Sequence, residues 1–160
     1  HFLNVINERL ILETKNNIDT IGAATTLSGL YFKDNNIQIL HAGDSEIWLL
    51  RNDIFFKLTN DQVFDEYQNN SPLVSYFGGK ENCLNIESQS SISELADNDI
   101  FLICSDGLFK SINYKITESI LKANKFLSEK SEKILENCLT AGMEDNTSVI
   151  LIECKSISHE

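Results

Sequence analysis

Residues 100–107 read IFLICSDG, a stretch in which an apolar run passes directly into a polar turn. A short apolar run bounded by a turn signal is typical of a buried β-strand. Because a buried strand holds its last residues in place, we expect the carboxylate of Asp106 at a defined point at the end of a sheet.

Two further acidic turns flank apolar runs on either side of this stretch. In ILHAGDS, residues 39–45, Asp44 follows one predicted strand and leads into another; in EDNTSVILI, residues 144–152, Asp145 opens the last strand. Strand ends of this kind can bring three carboxylates together although they are far apart in the sequence. Hard cations such as Mg²⁺ and Mn²⁺ prefer carboxylate ligands, so the pattern indicates a cation site.

Each of these turns also has a purely structural interpretation. Gly-Asp-Ser, Ser-Asp-Gly and Asp-Asn are common turn sequences whose side chains cap their own backbone. Taken singly, each is explained as an ordinary turn. Their order along the chain and their apolar flanks favour the functional interpretation.

Hydrophobic periodicity predicts an α+β layout in which strands come first and helices follow between the last two strands. Residues 61–81 carry no regular pattern and are predicted to form loops. Three short strands after residue 36 are expected to form an antiparallel meander. The predicted helices cover residues 4–17, 116–125 and 129–141, and the predicted strands cover residues 21–32, 37–41, 46–51, 54–58, 84–87, 100–104 and 147–154.

Length and cysteine usage indicate a single enzyme-sized domain in a reducing compartment. A chain of 160 residues can bury a substantial core, and we assign residues 1–155 to one domain and residues 156–160 to a frayed tail. The four cysteines form no Cys-x-x-Cys pair, which favours buried thiols over disulfides or zinc ligands. No membrane-length apolar stretch or signal pattern occurs, so a cytoplasmic location is expected.

The charge of the chain limits the partners that it is expected to bind. Thirteen basic and 24 acidic residues give a formal net charge of −11. An acidic surface repels phosphate backbones and anionic lipids, so we expect neither a nucleic acid nor a membrane as partner, and we expect a monomer.

An ordered set of motifs resembles the metal-dependent type 2C (PPM) family of serine/threonine protein phosphatases. The resemblance spans nearly the whole chain, and each motif alone is weak. The matching segments are ATTL (24–27), HAGDS (41–45), LTNDQ (58–62), the weaker LVSYFGG (73–79), CSDGL (104–108) and DNTSV (145–149).

The resemblance implies both a fold and an activity. The implied fold is a sandwich of two stacked antiparallel β-sheets flanked by helices. The implied activity is hydrolysis of phosphoserine and phosphothreonine monoesters in proteins by a metal-activated water, with two Mn²⁺ or Mg²⁺ ions that lower the pKa of the water. The implied partner is therefore a phosphoprotein substrate.

The resemblance also implies roles for individual residues. Asp106 and Asp145 would be direct ligands of one ion, and Asp44 would lie near an adjacent third-ion site. Asn146 would hydrogen-bond around the Asp145 turn, so Asp44 and Asn146 are the candidate catalytic residues besides the ligands. Residues with an expected structural role are Thr25, Thr26, Ser105 and His41, the last as a satisfied histidine rather than a general acid.

Several departures from the family pattern qualify these roles. The family's Asp-Gly-x-Gly-Gly motif, which carries a metal-bridging aspartate, does not occur before Ala24, so the fold and its two-metal site are expected to be N-terminally incomplete here. Lys110 stands where the family usually has a third-ion aspartate, and its ammonium would repel a cation there or replace it as a counter-charge to Asp44 and Asp106. Glu46 stands where an arginine is common, and Gln62 where a histidine is common. Either the chain is part of an active phosphatase, or it is a catalytically degenerate binding or regulatory module; an unrelated cation-binding domain is a third hypothesis.

Overall fold

In the computed structural model, the described residues are 2–33, 36–65, 71–79, 83–85, 87–93 and 95–155. They form four helices and nine strands. In chain order these are α1 (Phe2–Lys15), β1 (Ala24–Thr25), β2 (Leu27–Lys33), β3 (Asn36–Ala42), β4 (Glu46–Arg51), β5 (Ile54–Lys57), β6 (Phe77–Gly78), β7 (Glu87–Ser93), β8 (Ile100–Cys104), α2 (Gly107–Ser111), α3 (Tyr114–Lys122), α4 (Leu127–Thr140) and β9 (Val149–Glu153).

The largest sheet has four antiparallel strands in the order β5-β4-β8-β9. In its register Cys104 pairs with Glu46 on one side and with Val149 on the other. A central strand has neighbours on both sides and is covered on its faces, which explains why β8 is an unbroken apolar run. The sheet thus places the ends of β8 and β9 side by side.

The main hydrophobic core lies on one face of this sheet. Side chains of β8 that point to this face, Ile100, Leu102 and Cys104, are at most 5% exposed and pack against Leu121 of α3 and Ile134 of α4. On the other face the Phe101 ring meets Phe32 edge-on, with ring centroids 6.1 Å apart. Burial of this strand on both faces fixes its last residue and therefore the turn that follows.

Two smaller sheets complete the described structure. One pairs β1 with β6, and the other has the order β2-β3-β7. The backbone N–H of Gly78 in β6 donates to Oδ1 of the buried Asn7 in α1 at 2.7 Å, which ties this helix to the strand. Gly78 has a φ of +81°, and a Cβ there would lie 2.5 Å from the Ala23 carbonyl oxygen, so glycine is required.

The chain forms two compact units, each built from three segments. The first unit contains His1–Tyr31, Gln38–Ser45 and Asp61–Ser91, and the second contains Phe32–Ile37, Glu46–Asn60 and Ile92–Glu160. The assignment of residues 1–155 to a single domain stays a prediction. The predicted tail, residues 156–160, lies outside the described residues.

The α+β fold class predicted from the sequence is confirmed, and one connection was predicted wrongly. β4 and β5 pair as expected, but β3 belongs to a different sheet, so the three strands are not one meander. The predicted strand 21–32 is divided into β1 and β2, and the strand predicted near residue 84 is found as β7 at Glu87–Ser93. Among the described helices, none has the length and apolar character needed to cross a membrane.

Candidate metal centre

Ser105 joins the turn after β8 to the turn before β9. Its backbone N–H donates to the Ser148 carbonyl at 3.1 Å, its hydroxyl donates to the Asn146 carbonyl at 3.1 Å, and the same hydroxyl accepts from the Ser148 N–H at 3.0 Å. These bonds extend the β8–β9 pairing beyond the last strand residues. The structural role predicted for Ser105 matches these contacts, and the two acidic turns are thereby held together.

Gly107 allows the two turns to approach each other. A Cβ at this position would lie 2.5 Å from the Asn146 carbonyl oxygen, closer than Cβ atoms come to backbone. Gly107 also begins α2, and Asp106 is the residue that precedes this helix. The helix was not predicted from the sequence, because its five residues are too few to show a helical period.

Lys110 bridges the carboxylates of Asp106 and Asp145. Its Nζ donates to Oδ2 of Asp106 at 2.5 Å and to Oδ2 of Asp145 at 3.1 Å. The side chains of Lys110 and Asp106 are each 33% exposed, and that of Asp145 is 45% exposed. The structure therefore brings together the two residues that were predicted as ligands of one ion, with an ammonium group between them.

Electrostatic contacts in this cluster favour the charged forms of Lys110 and Asp145. Hydrogen bonding to Asp106, and then to Asp145, raises the pKa of Lys110. The Lys110 ammonium, together with the Asn146 backbone N–H that donates to Asp145 Oδ1 at 2.7 Å, lowers the pKa of Asp145. The backbone of Asn146 thus forms the expected hydrogen bond at the Asp145 turn, whereas a catalytic role for Asn146 stays a prediction.

Asp44 lies in the first compact unit, on the turn between β3 and β4, and is half-buried. The preceding Gly43 has a φ of +111°, and a Cβ there would lie 2.4 Å from Cγ2 of Thr26. Gln62 supports the same turn through two hydrogen bonds to Gly43. Its side-chain Oε1 accepts from the Gly43 N–H at 3.0 Å, and its backbone N–H donates to the Gly43 carbonyl at 2.9 Å. The third-ion role of Asp44 stays a prediction.

Neighbouring polar residues of this turn satisfy one another. The Thr26 and Ser45 hydroxyls lie 2.8 Å apart, and the Ser28 hydroxyl donates to the Ser45 carbonyl at 2.8 Å. The same hydroxyl lies 2.9 Å from Nδ1 of His41, which is fully buried. His41 therefore has the satisfied structural position that the sequence predicts. Thr25 lies on β1, and its hydroxyl bonds the Thr26 carbonyl at 3.3 Å.

Glu46 and Gln62, two departures from the family pattern, have local partners. Glu46 accepts from the Trp48 indole N–H through Oε2 and from the Lys57 ammonium through Oε1, the latter at 2.8 Å. The role of Gln62 in holding the Gly43 turn was missed from the sequence. The contact of Lys110 with Asp106 agrees with one of the two alternatives expected for Lys110, and the spacing of four residues is that of a helical side-chain pair.

The described residues do not by themselves fit a resident divalent cation. Mg²⁺ and Mn²⁺ need carboxylate and other oxygen ligands, whereas the space between Asp106 and Asp145 holds the positively charged Lys110. In the part of the chain that the structure describes, no group of three or more His, Cys, Asp or Glu side chains could hold a metal ion. The Lys110 ammonium balances one of the two negative charges of Asp106 and Asp145, so the cluster keeps one negative charge.

Comparisons with known proteins relate this chain to bacterial phosphatases. No protein-family model matches the chain. The serine/threonine phosphatase Stp of Listeria innocua is 29% identical over 165 residues, which cover 92% of this chain and 64% of that protein. The serine/threonine protein phosphatase PstP of Mycobacterium tuberculosis is 26% identical over 92% of this chain and 30% of its own length. The chain thus spans less than two thirds of the length of these curated relatives.

Solved structures give the same relationship at the level of the fold. The catalytic domain of the serine/threonine protein phosphatase PstP, in complex with two manganese ions, is 25% identical and matches with a TM-score of 0.79 over 94% of this chain and 67% of that chain. The phosphatase Stp1 of Staphylococcus aureus, 18% identical, matches with a TM-score of 0.83 over 96% of this chain and 65% of that chain. The chain therefore resembles the metal-dependent type 2C (PPM) family of serine/threonine protein phosphatases and has the α+β fold of those proteins.

Proposed function

We propose that the whole protein hydrolyses phosphoserine and phosphothreonine monoesters in proteins, with a water activated by Mn²⁺ or Mg²⁺. The observation that carries this proposal is the convergence of Asp106 and Asp145 on one positive charge at the joined ends of β8 and β9. Two carboxylates held this way on a rigid sheet suit a centre that binds cations and acts on phosphate.

The relatives support the class of reaction. Stp and PstP are named serine/threonine phosphatases, and a PstP catalytic domain holds two manganese ions. The proposal is made for the whole protein because the described residues do not complete a two-metal site, and further oxygen ligands have to come from elsewhere. In this proposal Asp106 and Asp145 are cation ligands, Asp44 serves a third ion, and Asn146 holds the Asp145 turn.

A second candidate function is favoured by the position of Lys110. An ammonium that donates to both carboxylates supplies positive charge where a cation would otherwise do so, which is expected of a phosphatase fold that has lost catalysis and acts as a binding or regulatory module. In that case the acidic turns are retained for their structural contacts.

The test is hydrolysis of a small aryl phosphate and of a phosphothreonine peptide by the full-length protein, with and without Mn²⁺. The variant Asp106→Asn keeps the shape of the side chain and removes its charge. We expect it to lower Mn²⁺-dependent activity by at least about 100-fold, the upper end of the loss caused by removing a partner of a metal ligand. Asp53→Asn is the matched control, since Asp53 lies in the exposed β4–β5 turn with a φ of +60°, which asparagine tolerates.

The possible results separate the two candidates. Activity that needs Mn²⁺ and falls in Asp106→Asn but not in Asp53→Asn supports the phosphatase. Activity that survives Asp106→Asn contradicts the ligand role of Asp106. A folded wild-type protein without Mn²⁺-dependent activity supports the degenerate module.

The remaining expectations about cellular context are also proposals. A cytoplasmic location agrees with four free cysteines, of which Cys104 and Cys138 are buried. We propose a phosphoprotein as the substrate and a monomer as the working form, without a nucleic-acid or membrane partner, as the net charge of −11 favours.

A further inference from the structure

Gln62 makes hydrogen bonds in two directions from a buried position, and one direction leads to Gly43. Its side-chain Oε1 accepts from the Gly43 N–H at 3.0 Å, and its backbone N–H donates to the Gly43 carbonyl at 2.9 Å. Both polar backbone groups of Gly43 are therefore held by one residue, which is 7% exposed. Because Asp44 follows Gly43 directly, Gln62 also limits where the backbone of Asp44 can lie.

The other direction leads to the 73–85 segment, of which the structure describes residues 73–79 and 83–85. The Gln62 backbone carbonyl accepts from the Val74 N–H at 2.8 Å, and its side-chain Nε2 donates to the Asn85 carbonyl at 3.3 Å. The two ends of the Gln62 amide thus bond to different parts of the chain. The Gly43 N–H needs an acceptor and the Asn85 carbonyl needs a donor, so the partners fix the orientation of the amide.

Ser75 holds the Asn85 backbone at the far end of this connection. Its hydroxyl donates to the Asn85 carbonyl at 2.9 Å and accepts from the Asn85 N–H at 3.0 Å, and Ser75 is 1% exposed. The Asn85 carbonyl therefore accepts from both Ser75 and Gln62. The contacts run without a gap from Ser75 through Asn85 and Gln62 to Gly43, and all of these residues lie in the first compact unit.

We propose that Gln62 is a positioning residue that couples the Asp44 turn to the 73–85 segment, so that loosening Ser75 also loosens the turn. Buried hydrogen bonds of this kind have no water at hand to replace a lost partner. Contiguous contacts indicate the route, and the coupling itself is measured as a non-additive effect of two changes. Its meaning for catalysis rests on the proposed function, through the candidate role of Asp44.

The experiment is hydrogen exchange of single backbone amides in the full chain, measured by NMR, because the Gly43 N–H exchanges only when its bond to Gln62 opens. Gln62→Met keeps the length of the side chain and removes both polar ends of the amide. We expect it to speed the exchange of the Gly43 amide by about tenfold, as the loss of a buried hydrogen bond does. Ser75→Ala removes the hydroxyl at the other end of the connection, and we expect an increase of about threefold at the same amide.

A matched control comes from α1. The Thr14 hydroxyl is also buried, and it donates to the Ile11 carbonyl at 3.1 Å in the same compact unit as Ser75. Thr14→Ala therefore removes a buried hydroxyl and its hydrogen bond away from the connection. We expect the exchange of the Gly43 amide in Thr14→Ala to equal that of the wild-type chain.

The double variant of Gln62→Met with Ser75→Ala separates coupling from two independent effects. If the connection passes through Gln62, Ser75→Ala adds nothing at the Gly43 amide once Gln62 is replaced. Three results would overturn the proposal: unchanged Gly43 exchange in Ser75→Ala, an equal increase in Thr14→Ala, or additive increases in the double variant.

A second variant keeps the test sharp if Gln62→Met is unfolded by circular dichroism. Gln62→Glu then replaces it, since at pH 7 its carboxylate still accepts from the Gly43 N–H but cannot donate to the Asn85 carbonyl. Ser75→Ala should have no effect at the Gly43 amide in that background. An increase there equal to that in the wild-type chain overturns the proposal as well.

The failure of this proposal and of the proposed phosphatase activity are distinguishable, because amide exchange is measured without substrate. Coupled exchange in a protein that does not hydrolyse an aryl phosphate supports the positioning role of Gln62 and argues against the phosphatase. Hydrolysis by a protein in which Ser75→Ala leaves Gly43 exchange unchanged supports the phosphatase and overturns the coupling. In an active protein, the double variant should lose no more kcat than Gln62→Met alone, and a further loss contradicts the coupling.

Discussion

Gly107 begins α2 with its α-carbon packed against the carbonyl of Asn146, and it therefore decides how closely the two acidic turns approach. A side chain at this point would press on backbone, which cannot rotate away as the end of a flexible side chain can. The position of Asp106 relative to Asp145 thus depends on the absence of a single carbon atom. The Ser105 hydroxyl then fixes the approach with one donated and one accepted hydrogen bond.

Replacing Gly107 by alanine is expected to destabilise the protein by about 1–3 kcal/mol, the typical cost of inserting a carbon into a packed site. Urea unfolding followed by circular dichroism measures this change. Gly29→Ala is the control, because nothing lies within 4 Å of a Cβ at Gly29 in β2. That variant is expected to be neutral or to stabilise by about 0.5 kcal/mol, since alanine restricts the unfolded chain. Equal effects of the two changes would contradict the steric explanation.

Among the elements, β8 and the α4 helix could be predicted from the sequence because their patterns are local. The five-residue apolar run of β8 indicates a strand that is buried on both faces. The spacing of the buried residues Ile134 and Cys138 indicates a helix with one buried face in α4. The β3–β4 connection could not be predicted, since neighbouring short strands in a sequence pair in one sheet more often than they separate. α2 has only five residues and begins at the tightly packed Gly107, so hydrophobic periodicity could not predict it.

The sequence indicated the residues of the candidate site and part of its charge balance. Motif order indicated Asp106 and Asp145, and the β8–β9 register explains their convergence. The sequence also indicated that Lys110 would repel a cation or replace it as a counter-charge to Asp44 and Asp106. Its simultaneous contact with both carboxylates depends on the direction of a side chain on an unpredicted helix, so only the three-dimensional structure reveals it.

The start of α4 gives a prediction about pH. The Glu129 carboxylate accepts from the Phe126 backbone N–H at 3.1 Å and from the Lys125 ammonium at 3.3 Å, and these bonds, the backbone bond first, lower its pKa. A carboxyl group with a lowered pKa in the folded state stabilises the protein above its unfolded pKa of about 4.3 and loses this contribution as the pH falls through the folded value. Glu129→Gln is therefore expected to lower the melting temperature at pH 7 and to have a smaller effect at pH 3.

Thermal denaturation at the two pH values measures this difference. Glu132→Gln, one turn further along the same exposed side of α4, is the control for the loss of a negative charge. An equal decrease for both variants at pH 7 would assign the effect to net charge rather than to the bond with Phe126.

The whole molecule carries a formal charge of −11, and this excess of negative charge opposes the folded state through mutual repulsion. Salt at physiological strength limits such repulsion to about 8 Å. Local pairs such as Arg51 with the buried Asp99 are screened less than exposed charges, because Asp99 is only 1% exposed. The balance between repulsion and local pairing should therefore shift with ionic strength.

We expect the melting temperature to rise when NaCl is increased from about 10 to 300 mM, because the Debye length falls from about 30 Å to less than 8 Å. Differential scanning calorimetry measures the change, and the same titration at pH 4.6, near the sequence pI, is the control. There the net charge is close to zero and the rise should be absent. A melting temperature that falls with salt at pH 7 would show that local ion pairs outweigh the general repulsion.

Each compact unit consists of three separate segments of chain, and these segments alternate along the sequence. No single cut can release either unit intact, so limited proteolysis should not yield a stable half of this protein. The same arrangement constrains hybrid genes: one crossover with a homologous phosphatase would leave at least one unit with segments from both parents. Functional chimaeras would instead need several crossovers, near residues 31, 37, 45, 60 and 91, where the chain passes from one unit to the other.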